Sequence, residues 1–263
     1  MTSTKIIKLN LEDSGSGGKL PALKDPLVGK AFALYRAAEE FQITDEDGFH
    51  EYAERVDKEF EGSNLTSDDI QKVYDAFGEE FQLDDEYGDR LGIIINALIQ
   101  HSNHRKFLLK TKKSIGYIGY KMSDDKAITV DGDVGRFTGE LMAAGKIHVK
   151  GNAGDNIGVA MLGGLIEVDG NAGNFTGGYM NGGKLIIGRN AGTYTGEHMG
   201  GGEIHVGGGC GEATGDRMRK GLIRVAGKIA GISTNLGEAD PKFAKIYQGD
   251  ELLVGKDDRH KSR

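Results

Sequence analysis

One 19-residue pattern runs five times without insertion between Gly132 and Val225. Gly135, Gly154, Gly173, Gly192 and Gly211 form one column of the repeat, and Gly139, Gly158, Gly177, Gly196 and Gly215 form another. Met142, Met161, Met180, Met199 and Met218 form a third, which takes five of the seven methionines in the chain. The apolar pair Ile147/Val149 recurs as Ile166/Val168, Leu185/Ile187, Ile204/Val206 and Ile223/Val225. A unit this short cannot bury a core alone, so neighbouring copies must stack. Glycine selects the kind of stack. The unit Gly170–Gly188 holds seven glycines, each costing a helix about 1 kcal/mol relative to alanine. The I-x-V segment has the period of two of a strand with one buried face.

Each unit therefore reads as one turn of a parallel β-solenoid, with turns about 4.8 Å apart. Columns become ladders. The methionines are expected inside, filling irregular space near the corners. Val134, Ala153, Ala172, Ala191 and Cys210 form a small inward column, in which Cys210 is buried and inert. Asp133, Asn152, Asn171 and Asn190 are expected at a corner, where Asn and Asp accept left-handed geometry and bond to nearby backbone. The glycine columns supply corners and positive φ, and Gly173 is expected to need it. Gly116, Ile128 and Val130 lie one repeat before Gly135, Ile147 and Val149, so an eroded first turn begins near Ser114, with Ser123 at the methionine position.

Four segments follow. Residues 1–19 read as a short strand (Lys5–Leu11) and a linker; 20–112 as an acidic helical domain; 113–231 as the solenoid; 232–263 as a cap and tail whose last eight residues are disordered. Helices are expected over Pro26–Gln42, Thr44–Phe60, Ile70–Phe81 and Asp84–Leu109, with capping-box spacing at Thr44/Asp47 and Thr66/Asp69. The fold class is mainly β, a parallel β-helix of 19-residue turns preceded by a small α-helical domain.

The net charge of −7 argues against nucleic acid and anionic membrane as partners. No run of about 18 apolar residues exists to span a membrane, no secretory signal is evident, and the single cysteine allows no internal disulfide. A soluble cytoplasmic protein is expected.

Motifs for chemistry are weak. Gly178–Lys184 fits G-x-x-x-x-G-K, but Leu185 replaces the Ser or Thr and a strand follows where a helix is required. Asp45, Asp47, Gly48 and Glu54 match part of a calcium-loop spacing, but Ile43 holds the first ligand position, and an acidic helix start is the plainer reading. His101 and His104 share a helix face with no acid or cysteine nearby to complete a metal set. His148 and His205 belong to a surface column that converges on nothing. No Ser or Cys with a matched His and Asp is visible.

The pattern G-D-V-G-x-x-x-G-x-x-M-x-x-G-x-I-x-V resembles the GXGXG β-helix family over Ser114 to about Gly231. That family comprises the C-terminal domain of the glutamate synthase large subunit, the GXGXG-bearing subunit of formylmethanofuran dehydrogenase, and its relative in a bacterial formyltransferase/hydrolase complex. The resemblance implies a right-handed β-helix and a non-catalytic scaffold packed against catalytic subunits. The methionine-bearing turns look closer to the formylmethanofuran dehydrogenase protein, while the helical segment matches neither enzyme. The expectations are a scaffold subunit of an oxidoreductase or amidotransferase complex, with no catalytic residue, cofactor or metal of its own. A stand-alone binding module or small enzyme, active in its helical domain, is the alternative, and a homo-oligomer stays open. The outward strand columns carry Leu165, Ile186 and Leu222 among charges. This face is expected to be covered, by the helical domain or by a partner.

Overall fold

The structure is a computed structural model that describes residues 25–38, 46–80, 85–233 and 244–255. The expected strand at Lys5–Leu11, the linker after it and the last eight residues lie outside these. Among these residues four helices come first: α1 (Pro26–Ala37), α2 (Glu46–Phe60), α3 (Ser67–Glu80) and α4 (Asp85–His101). Nine strands follow: β1 (Lys106–Lys110), β2 (Ala127–Asp131), β3 (Lys146–Val149), β4 (Leu165–Val168), β5 (Lys184–Ile187), β6 (Glu203–Val206), β7 (Gly221–Val225), β8 (Ala244–Gln248) and β9 (Glu251–Val254). They form one sheet in chain order, parallel from β1 to β8, with β9 antiparallel at the end.

The register is the repeat itself. Ile147 pairs with Ile166, then Leu185, Ile204 and Ile223. These residues and all five repeat methionines are fully buried. The first turn corrects one expectation. Ser123 does not fill the methionine position; Met122 does, buried, with its methyl against the Gly145 position just as that of Met142 lies against Gly164. The left-handed residues Tyr117 and Lys121 precede Phe137 and Leu141 by 20 residues, whereas Ile128 precedes Ile147 by 19. One residue is lost after Gly116 and regained after Met122, which hid the match.

Glycine columns serve two different purposes. Gly177 has φ +67, flanked by left-handed Phe175 and Tyr179 at φ +55 and +54. Gly173 does not have positive φ, contrary to expectation. It is glycine because a Cβ there would sit 2.7 Å from the Asp155 nitrogen and 2.8 Å from the Gly154 carbonyl carbon of the preceding turn. The Asp/Asn column also works differently from expectation. Its members are not left-handed. Each side-chain oxygen instead accepts from the main-chain N–H one turn ahead: Asp133 from Asn152 (2.7 Å), Asn152 from Asn171 (2.9 Å), Asn171 from Asn190 (3.2 Å) and Asn190 from Gly209 (2.8 Å). A corner leaves main-chain donors unpaired, and stacked amides satisfy them. A second ladder, Asp155–Asn174–Thr193, does the same (2.7 and 3.0 Å).

Two boundaries move. The predicted helix Asp84–Leu109 ends at His101, and Phe107 and Leu109 are buried in β1, so the sheet begins inside the segment assigned to the helical domain. The alternation K-F-L-L-K is a strand signal that the apolar run of α4 masked. At the other end, β8 extends the parallel sheet before β9 turns back over it, so the tail is partly solenoid.

The helices do not fold over the sheet face. They close the end of the solenoid and share one continuous core with it. Phe32 stacks on Phe77 at 4.1 Å, among buried Tyr52, Val56, Ile70, Leu91 and Ile95. The α4 helix lies against the first turn through Gly88 and Gly92; a Cβ on Gly92 would overlap the Gly116 carbonyl. Asp89 accepts from Arg136 Nε at 2.6 Å. The Thr66/Asp69 capping box forms, at 3.1 and 3.2 Å. The Asp47–Glu54 segment lies inside α2. A continuous helix cannot wrap an ion as a calcium loop does, which leaves the helix start as the reading for this segment; Thr44 and Asp45 lie outside the described residues.

Candidate functional site: the sheet face and the capped end

The outward side chains of β3–β7 build a flat face. Leu165, Ile186 and Leu222 are half-buried on it. Charged groups around them are largely paired within the chain. Lys146 pairs with Glu167, Lys184 with Glu203 at 3.3 Å, and Lys150 with Asp131 at 3.6 Å. His148 Nε2 donates to Asp169 at 3.0 Å and His205 Nε2 to Glu203 at 3.1 Å, so both histidines are bridges to acids and not free ligands. The His205 hydrogen bond, and then Lys184, hold the Glu203 carboxyl below its ordinary range. Arg224 lies over the Tyr247 ring at 4.3 Å. Paired charges around three apolar side chains make a face that can be desolvated without stranding an ion.

Two neighbouring turns carry aromatic steps that the sequence reading overlooked. Phe175 stacks on Tyr194 at 5.0 Å and Tyr179 on His198 at 4.7 Å. Tyr179 and Leu162 are about half exposed there, at 50% and 54%. Inside, Thr138, Thr176, Thr195 and Thr214 form another column missed from sequence, fully buried, with each hydroxyl donating to the glycine carbonyl three residues back. Its signal was a threonine before each glycine of the second column, interrupted only by Ile157.

At the capped end, an open surface depression of about 530 Å³ lies between α3 and the first turns. Gln71, Asp75, Lys110, Thr111, Lys112 and Asp131 line it. Asp75 already accepts from Gln71 at 3.0 Å.

The remaining candidates do not converge. Gly178–Lys184 leads into strand β5, as a phosphate loop would not. His101 ends α4 and bonds Asp57 at 2.8 Å, so an acid is nearby after all, while His104 lies beyond the helix. Cys210 is buried as expected, and burial pushes its thiol up to about 11 against hydrogen bonds with Thr195 and Thr214. Among the described residues, no group of three or more His, Cys, Asp or Glu is placed to hold a metal ion, and no helix is long and apolar enough to cross a membrane. No protein-family model matches the chain, and neither does any curated protein.

Proposed function

We propose that the chain is a non-catalytic scaffold subunit of a larger cytoplasmic complex, and that catalytic subunits of an oxidoreductase or amidotransferase dock on its β3–β7 face. One observation carries this reading. The flat face bearing Leu165, Ile186 and Leu222 is left open by the chain's own helices, which close the end of the solenoid instead. The resemblance of the glycine–methionine repeat to the GXGXG β-helix supplies the class of partner. The scaffold needs no cofactor, nucleic acid or membrane of its own.

Purification of the tagged chain from its native cells tests the reading. Flavin-, iron–sulfur- or molybdopterin-bearing subunits should co-elute with the parent. They should be lost from the Ile186→Arg variant while its circular dichroism stays that of the parent. Unchanged co-elution from that variant, or a chain that elutes alone, sinks the proposal.

The open depression beside α3, where Lys110, Lys112 and Asp75 meet, is the place for a second reading, a binding module for a small polar ligand. A stoichiometric small molecule released on denaturing the purified chain would support it over the scaffold.

A further inference from the structure

The first three strands shape the sheet face differently from the rest. The outward residues of β1 are Lys106, Leu108 and Lys110, and those of β3 are Lys146 and His148, with Lys150 just beyond. Between them β2 presents Ala127 and Thr129, both half-buried, and then Asp131. The register sets Ala127 between Lys106 and Lys146, and Thr129 between Leu108 and His148. Short side chains between long ones make a shallow trough over β2. Its walls stand about 10 Å apart, two strand spacings. The outer edge of β1 is closed by α3. Ser67 Oγ donates to the Lys106 carbonyl and accepts from Leu108 N, both at 3.3 Å. Gln71 donates to the Lys110 carbonyl at 3.0 Å and accepts from Lys110 N at 2.8 Å. Tyr74 Oη accepts from Lys112 N and Lys113 N, both at 2.9 Å, and donates to the Lys113 carbonyl at 2.8 Å. On α4, Asn96 Oδ1 accepts from Gly119 N at 3.0 Å, where Gly139 N, one turn later, finds the Ile118 carbonyl. Helix side chains thus stand in for the main chain of a missing turn. A partner segment that reaches β1 therefore lies over the face and does not add to the edge.

The two walls differ in charge. On β3 each cation holds an acid of its own chain: Lys146 pairs with Glu167, His148 with Asp169 at 3.0 Å and Lys150 with Asp131 at 3.6 Å. On β1, neither Lys106 nor Lys110 has an acidic partner among the described residues. Asp131 stands beside Lys110 in the register, but its carboxylate goes to Lys150. Leu108, between the two lysines, is 44% exposed. A chain of net charge −7 thus carries a strip of unmatched positive charge with an apolar centre. The strip has a fixed spacing. Alternate residues of an extended chain lie about 6.8 Å apart, so a second extended chain matches β1 side chain for side chain. Laid along the trough, it points alternate side chains at the two walls. Acid, apolar and acid at i, i+2 and i+4 would meet Lys106, Leu108 and Lys110. The residues between them would face the β3 wall, where Glu167 and Asp169 favour uncharged groups. A nucleic-acid strand or an anionic membrane, charged on every side, would be repelled by those two acids.

We propose that the trough over β2 docks an extended acidic segment of a partner protein, of pattern acid–x–apolar–x–acid with x uncharged, whose carboxylates pair with Lys106 and Lys110 and whose apolar side chain covers Leu108. The inference does not rest on the scaffold reading. Its charged wall is β1, outside the β3–β7 face, so a failure here leaves that reading standing.

The test titrates the full chain into the fluorescein-labelled peptide G-E-S-L-S-E-G at low salt and reads fluorescence anisotropy. Binding should saturate. Lys106→Glu combined with Lys110→Glu should weaken it about tenfold or more, since each exposed pair is lost and replaced by repulsion. The charge-swapped peptide G-K-S-L-S-K-G should bind that double variant and not the parent. The peptide G-E-S-S-S-E-G should bind the parent severalfold more weakly than the first. If the double reversal unfolds the chain by circular dichroism, Lys106→Gln with Lys110→Gln removes the charges alone and should weaken binding in the same direction. No saturable binding to the parent overturns the site. Binding indifferent to the lysine changes overturns its placement on β1, and equal binding of the leucine-free peptide overturns the apolar seat on Leu108. Two further results overturn the partner segment as the occupant: phosphatidylserine vesicles displacing the peptide, or self-association of the parent that the lysine changes abolish.

Discussion

The Gly177 position separates the two reasons for glycine in this solenoid. Alanine there would hold φ +67, a left-handed conformation costing an L-residue roughly 1–2 kcal/mol. Its Cβ would also overlap Ile204 Cδ1 and lie 3.1 Å from Leu185 Cδ1. Overpacking of this kind adds about 1–3 kcal/mol. Gly177→Ala should therefore destabilise by about 2–5 kcal/mol. Ile204→Val deletes the colliding methyl and alone should cost about 0.5–1.5 kcal/mol. In the double variant the collision is relieved and only the left-handed strain and the lost methyl remain. The pair should cost less than the sum of the singles by about 1–3 kcal/mol. Gly173→Ala is the control. Its added Cβ meets main chain, at 2.7 Å from the Asp155 nitrogen, and Ile204→Val should give it no relief. Urea unfolding followed by far-UV circular dichroism measures all five variants, provided the slopes match the parent. Additivity of Gly177→Ala with Ile204→Val within about 0.5 kcal/mol would refute the collision. A neutral Gly177→Ala would refute the left-handed assignment as well.

Two further outcomes follow from titrating groups. The Cys210 thiol is raised by burial from 9.0 to about 11. Its contribution to stability is thus fully present below pH 9 and lost as pH climbs toward 11; Cys210→Ala should flatten that alkaline limb, and a thiol reagent at neutral pH should label Cys210 only after unfolding. The Glu203 carboxyl is depressed, first by His205 and then by Lys184. Its contribution is present above the unfolded value of 4.5 and lost as pH falls through the lower folded value. Because the side chain is half exposed, the effect is small, and an acid limb unchanged in Glu203→Gln would contradict it.

The repeat made the solenoid legible because stacking in register converts a sequence period into a spatial column. Met180, Ile204 and Cys210 each lie where their columns put them, since an inward position in one turn is inward in all. Column membership does not carry the reason for a column. Gly173 and Gly177 look alike in the sequence, yet one answers to the neighbouring turn's backbone and the other to its own φ, and only the stacked coordinates separate them. Asn152 and Asn171 read as local turn formers, but their partners lie 19 residues away. Met122 and β1 escaped for a related reason: a lost and regained residue, or a helix running into a strand, breaks the period without breaking the packing. Where the helices dock was outside the reach of any periodicity. Ser67, Gln71, Tyr74 and Asn96 are unremarkable polar helix residues until α3 and α4 meet a sheet edge whose main-chain groups need partners. That demand exists only once β1 has paired with β2 on its other side.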